Sequence, residues 1–355
     1  MESNQSGRKF DGLKVLYTVA AFVIVVAGLK EAQSLLVPLL FAVFLSILGS
    51  APLDYLKRFK VPTGLAIVIV AGFIFLTLFG FVSVLGESVE ELRKATPRYQ
   101  EKFIVLRNDL KEFLLRNDLR TLADQTTPIE TLSPDAITSF IRTAVGGVVG
   151  AVSGILLVAI MLIFMLIEAA VFKAKIRAAV EKSLDFDKLG NVSKDVQRYL
   201  GIKTGTSLVT GILVFAWTTI MGVDLPYLWG MSAFILNYIP FIGSFLAAIP
   251  AVILGTLDSG IGYGATIAVG YVVINVGISN FIEPIIMGQK LGLSPLVVFL
   301  SLFFWGWVWG PSGMLLSIPL TMIVKILLEH SDDFKWIAVL MGNTAEAQHK
   351  LSKQE

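Results

Sequence analysis

Residues 225–328 carry almost no charge, yet proline and glycine interrupt them repeatedly. So long an apolar stretch is better matched to lipid than to the core of one soluble domain. In lipid every backbone N–H and C=O must be satisfied within the protein, so each interruption needs protein or a watery cavity around it. Residues 227–239 are apolar, Pro240-Phe241-Ile242-Gly243 breaks the run, and residues 244–257 resume it with Pro250 inside. Residues 260–286 are long enough to span a bilayer. Residues 295–309, a break at Gly310-Pro311-Ser312-Gly313 and residues 314–328 then repeat the first pattern. Each pair of short segments predicts a broken, re-entrant helical hairpin of the kind transporters use to expose backbone groups to a solute.

Composition agrees. The chain has 355 residues, 55% apolar and 16% charged, against roughly 25% charged in ordinary soluble domains, and its mean hydropathy is +0.76. Disordered, collagenous and coiled-coil chains are excluded. A net charge of +2 gives no basic bias toward nucleic acid. There is no cysteine, and His330 and His349 are the only histidines. Thiolate metal centres, iron–sulfur clusters and multi-histidine sites therefore cannot be built. No metal and no cofactor is expected.

The remainder reads as membrane segments separated by charged stretches. Residues 1–86 predict three spans, at 13–29, 35–52 and 61–86, forming an N-terminal scaffold. Residues 87–140 predict a small helical extramembrane domain: charge rises, while Val89, Leu92, Tyr99, Phe103 and Leu106 recur mostly at helical spacing. Pro97 is expected to break or kink that helix, and Ser133-Pro134-Asp135 to start another. Residues 141–203 hold a fourth span at 145–167 and a charged cytoplasmic segment. Gly146, Gly150 and Gly154 put a smooth stripe on that span, a candidate helix interface. The fifth span, 204–223, opens a transport core over 204–330, and residues 331–355 form a polar cytoplasmic tail. The Lys/Arg bias puts the N-terminus, the 57–60 connector, the 168–203 segment and Gln289-Lys290 in the cytoplasm, and 87–140 outside.

The two broken segments echo one another. Ile242-Gly243-Ser244 through Ile249-Pro250 aligns with Pro311-Ser312-Gly313 through Ile318-Pro319. Each follows a full span, and those spans run in opposite directions, so an inverted repeat is expected. Intramembrane polar residues add the candidate pathway. Glu283 is the main outlier, because a carboxylate at the bilayer centre costs about 2.5–3.5 kcal/mol on insertion scales. It must be partnered, protonated or interfacial, and Lys290 is the nearest cation in sequence. Asn237 and Tyr238 precede the first break and are placed to line a cavity. Asn275 and Asn280 suit either pathway lining or interhelical hydrogen bonding. Trp217, Trp229, Trp305, Trp307 and Trp309 read as interfacial aromatics, and Lys325 as a snorkelling end residue.

Enzyme readings fail on chemistry. Gly310-Pro311-Ser312-Gly313 matches the GxSG pattern of rhomboid proteases, whose serine needs a nearby base. His330 lies eighteen residues beyond Ser312, about 27 Å along a helix. The aspartate of a GxGD protease and a Walker A motif are both missing from the sequence.

The strings Leu236-Asn237-Tyr238-Ile239-Pro240-Phe241-Ile242-Gly243, Glu283-Pro284, Gly292-Leu293-Ser294-Pro295 and Gly313 through Pro319 resemble the autoinducer-2 exporter family. The charged insert after the third span and Tyr199-Leu200 before the fifth fit the same layout. The resemblance implies an all-α, polytopic protein of the bacterial inner membrane with about eight membrane segments. It also implies a homo-oligomer, a pentamer among the arrangements. Members are described as exporters of the quorum-sensing signal or as sodium(lithium)/proton antiporters. The family-like positions are Asn237, Tyr238, Pro240, Gly243, Glu283, Pro284, Gly292, Pro295, Gly313 and Pro319. The expected activity is secondary transport of a small polar solute such as autoinducer-2 by alternating access. A monovalent cation/proton antiporter and a non-transporting membrane scaffold are the alternatives. The expected pathway is Asn237, Tyr238, Pro240, Gly243, Asn275, Asn280, Glu283, Pro284, Ser312 and Gly313.

Overall fold

The computed structural model describes residues 12–116, 139, 143, 146–147, 150, 154–169, 171, 186–287, 293–329 and 334–342. These residues form helices without a strand among them. In chain order they are α1 (Gly12–Glu31), α2 (Gln33–Arg58), α3 (Thr63–Arg116), α4 (Gly154–Ala169), α5 (Phe186–Met221), α6 (Pro226–Leu236), α7 (Gly243–Ser259) and α8 (Ile261–Val276). A π-helical turn, Gly277–Ile282, leads into α9 (Glu283–Met287), followed by α10 (Pro295–Glu329) and α11 (Lys335–Met341). Among the described residues five helices are long and apolar enough to cross a membrane. Large apolar side chains cover the outside, with Phe73, Ile220 and Ile285 70%, 78% and 80% exposed. That distribution suits lipid as the surrounding solvent.

The register between helices gives the bundle two ends. α2 and α3 form a hairpin whose turn, at Phe59 to Pro62, marks the near end. α3 runs away from it, past Phe81 against Phe234, to the far end, where Arg98 meets Asp224 and Asp258. α5 also ends there. α6 turns back along α5 so closely that a Cβ on Gly211 would lie 2.8 Å from the Gly230 carbonyl. Small residues let these backbones approach, as helices packing in lipid require.

α6 is 11 residues long, about 16 Å, or half a bilayer's hydrocarbon core. Pro226 sits in its first turn, where a missing N–H is harmless. It ends before Pro240, and α7 returns to the far end from Gly243. α10 is continuous in hydrogen bonding but broken in dihedrals: Trp309 has φ −128° and Gly310 φ +60°, ψ −145°. The latter conformation is essentially glycine's alone. At this break the Trp309 indole donates to the Leu29 carbonyl at 2.8 Å. Gln33 donates to the Trp309 carbonyl at 3.4 Å. Both contacts are at the α1–α2 junction, remote from the α2–α3 turn. The first break points toward the near end and the second toward the far end.

Several expectations are corrected. α3 does not break at Pro97 but runs unbroken from Thr63 to Arg116. An interior proline costs about 3 kcal/mol. It is exposed here, while Val89, Leu92 and Tyr99 are buried against the α6–α7 side and carry the helix across. The same helix runs through residue 87. Trp229, Trp305 and Trp309 are buried rather than interfacial, and of the 305–309 group only Trp307 is exposed. Lys325 is buried, 3.6 Å from Glu329. Gly146, Gly150 and Gly154 lie in helix, and a Cβ on any of them would meet nothing within 4 Å among the described residues. Ser133-Pro134-Asp135, Gln289-Lys290, Gly292, both histidines and residues 343–355 lie outside the described residues.

Candidate functional site

The first break is anchored on α5. Asn237, 3% exposed, donates from Nδ2 to Ser207 Oγ at 3.0 Å. The Tyr238 hydroxyl donates to Thr204 Oγ1 at 2.7 Å. Phe241 then takes φ +62°, a left-handed conformation that is strained for an aromatic residue. Its ring packs edge-on to Phe299 of α10, 6.4 Å between centroids. The two broken segments therefore touch at this point.

Glu283 lies where the π turn gives way to α9. Its carboxylate is held by Lys203 of α5, with Nζ 3.0 Å from Oε1 and 3.1 Å from Oε2. Lys203 is 6% exposed. Excess charge here is cancelled locally, as an ion pair in a low-dielectric setting must be. The partner is not Lys290, which lies outside the described residues. Lys203 was missed because it ends a charged segment and reads as one more interfacial cation. Its signal was position: a lysine heading an apolar span, followed by Thr204, Thr206, Ser207 and Thr210. The π turn was missed too, and single π turns often mark functional sites.

Between these elements lies a cleft of about 800 Å³. Its apolar wall comes from α7, with Phe245, Ile249 and Val252; its polar groups include Lys203, Asn237, Asn275, Ser279, Asn280 and Glu283. Asn275 also donates to the Tyr271 carbonyl at 2.8 Å, within its own helix. Of the expected pathway residues, Asn237, Pro240, Asn275, Asn280 and Glu283 line this cleft. Tyr238 and Gly243 support the break beside it. Pro284, Ser312 and Gly313 are not among its lining residues.

Gly313 instead reproduces the packing of Gly243. A Cβ on Gly243 would lie 1.8 Å from the Leu236 carbonyl oxygen and 3.2 Å from Ile239 Cβ. On Gly313 it would lie 1.9 Å from the Trp305 carbonyl oxygen and 3.1 Å from Trp309 Cβ. In each break the returning helix starts against a carbonyl in the last turn of the outgoing one. The Ile-Pro alignment pairs Gly243 with Ser312, so the second break is one residue longer at this contact.

A second charged group closes the far end. Tyr99 donates to Asp224 Oδ2 at 2.7 Å, Arg98 pairs with Asp224 and Asp258, and Lys102 pairs with Asp258. The Lys102 hydrogen bond, then that of Arg98, holds the Asp258 carboxyl below the usual carboxylate range. These contacts tie α3 to the α5–α6 and α7–α8 connections.

Crossing helices with apolar exteriors, enclosing a cleft with polar groups and two opposed helix breaks, define a multi-pass helical membrane protein. The chain belongs to the AI-2E transporter family, whose model matches residues 19–333. It is 34% identical to the AI-2 transport protein TqsA of Escherichia coli K12, over 94% of this chain and 96% of the relative. A Haemophilus influenzae protein provisionally named a transport protein is 38% identical over 94% of this chain and 97% of its own. The Escherichia coli K12 protein YhhT, likewise provisional, is 32% identical over 93% and 95%. These relatives are transport proteins rather than enzymes.

Proposed function

We propose that this protein is a secondary transporter of the bacterial inner membrane that exports a small polar solute by alternating access, with the cleft beneath the first break as its solute site. The observation that carries the reading is the cleft itself: polar side chains from α5, the α6–α7 break and the α8–π segment converge on it from three elements. Its one carboxylate is already neutralised by Lys203, which favours an uncharged solute over an anion. The naming of TqsA makes autoinducer-2 the first solute to try. The α6–α7 and α10 breaks act as re-entrant hairpins, and moving them past the α1–α4 scaffold opens the cleft to alternate sides. The purified protein in proteoliposomes is expected to move autoinducer-2 down its gradient, at a rate above that of protein-free vesicles. Equal rates would remove the reading.

A second reading rests on the Lys203–Glu283 pair. A proton or monovalent cation reaching Glu283 would release Lys203, coupling ion arrival to movement of the π segment against α5. Glu283→Gln is expected to abolish the pH dependence of sodium and lithium flux in the same vesicles. Unchanged flux would remove Glu283 from any coupling role.

A further inference from the structure

Two polar atoms beside the cleft have no hydrogen-bond partner among the described residues: the Tyr271 hydroxyl and Asn275 Oδ1, both fully buried. Both residues line the cleft. They stand four apart on α8, on one face of the helix. The Asn275 amide is fixed in orientation, because the Tyr271 carbonyl can only accept, so Nδ2 must face it. That leaves Oδ1 as a free acceptor. The Tyr271 hydroxyl can donate or accept. A buried polar atom left unpaired is costly, and phenylalanine would fill the Tyr271 site without that cost.

We propose that Tyr271 and Asn275 are the solute-reading pair of the cleft: a small shift of the cleft wall on solute entry opens both sealed atoms, so that Asn275 Oδ1 accepts from, and the Tyr271 hydroxyl bonds to, a hydroxyl of an uncharged hydroxylated solute. The inference rests on the cleft being the transport site and adds what selects its occupant. The free acceptor requires a ligand that donates. The Lys203–Glu283 pair offers no unbalanced charge to hold an anion. The Phe245, Ile249 and Val252 wall covers the carbon skeleton.

The test uses the purified full chain and millimolar erythritol, well below the concentrations at which polyols stabilise proteins by exclusion. Erythritol is expected to raise the Tm of the wild type. Tyr271→Phe is expected to have a higher Tm than wild type without solute and to weaken erythritol binding roughly tenfold. Asn275→Leu should weaken binding to a similar degree. The fully O-methylated ether of erythritol, which cannot donate, should produce no shift. The proposal is overturned if erythritol shifts nothing, if the ether matches it, or if Tyr271→Phe binds erythritol as wild type does. It is also overturned if sodium or lithium chloride alone gives the Tyr271-dependent shift, since the pair would then be a cation site. Autoinducer-2 flux by the wild type tests the transport reading separately. Flux without an erythritol shift sinks the reading pair alone, and the shift without flux sinks the transport assignment alone.

Discussion

Gly243 and Gly313 fix how tightly each broken pair folds on itself. A methyl group at either would sit inside the contact distance of a backbone carbonyl, which cannot swing away as a side chain can. Gly243→Ala and Gly313→Ala should each cost at least the 1–3 kcal/mol typical of overpacking, read as lowered Tm and poorer yield of monodisperse protein in detergent. Gly146→Ala should not lower the Tm of the detergent-solubilised monomer, because nothing among the described residues lies near its Cβ. At the ion pair, Lys203→Met strands Glu283 beside the cleft. Removing one member of a buried pair costs about 3–5 kcal/mol, whereas replacing both with apolar groups is often neutral. The Lys203→Met, Glu283→Leu double variant should therefore regain most of the Tm that Lys203→Met loses.

α3 is the element that departs most from its expected form. It is 54 residues long, about 80 Å at 1.5 Å per residue, and its charged half packs on the hairpin ends through Leu92 and Tyr99. Arg98 and Lys102 tether it to Asp258. Asp258→Asn should raise amide hydrogen exchange across residues 95–105 about threefold, since each exposed pair contributes under about 1 kcal/mol, while exchange in α5 and α8 stays unchanged. The pH dependence follows from the lowered Asp258 carboxyl. Its contribution is complete above the ordinary aspartate value, about 3.9. It is lost as pH falls through the lower folded-state value. The tether should thus hold at neutral pH and loosen only in strong acid.

At the scale of the whole molecule, the first break meets the outgoing half of α10 where Phe241 touches Phe299. We infer that alternating access also slides the two broken segments past one another, which changes this contact. The chain has no cysteine, so Phe241→Cys, Phe299→Cys introduces the only thiols. A short, reducible thiol cross-linker across them should stop autoinducer-2 flux in vesicles, and reduction should restore it. Flux that continues through the cross-link would mean the two broken segments do not move relative to each other.

The sequence by itself determined the solvent and the secondary structure. Lipid admits only segments that satisfy their own backbone, so the apolar runs had to be helices. Two clusters of proline and glycine had to be breaks, and both breaks lie where Pro240 and Gly310 put them. Glu283 and Asn237 stood out because polar groups are expensive in that solvent. Only the tertiary structure decided the partners. Lys203 and Glu283 are eighty positions apart, and pairing over such a distance depends on α8 returning along α5 with the π turn's added rotation. The burial of Trp229, Trp305 and Trp309 and the unbroken passage of α3 through Pro97 have the same origin. Side-chain packing against neighbouring helices outweighed local preference, and such packing depends on which helix lies alongside rather than on the residues next in sequence.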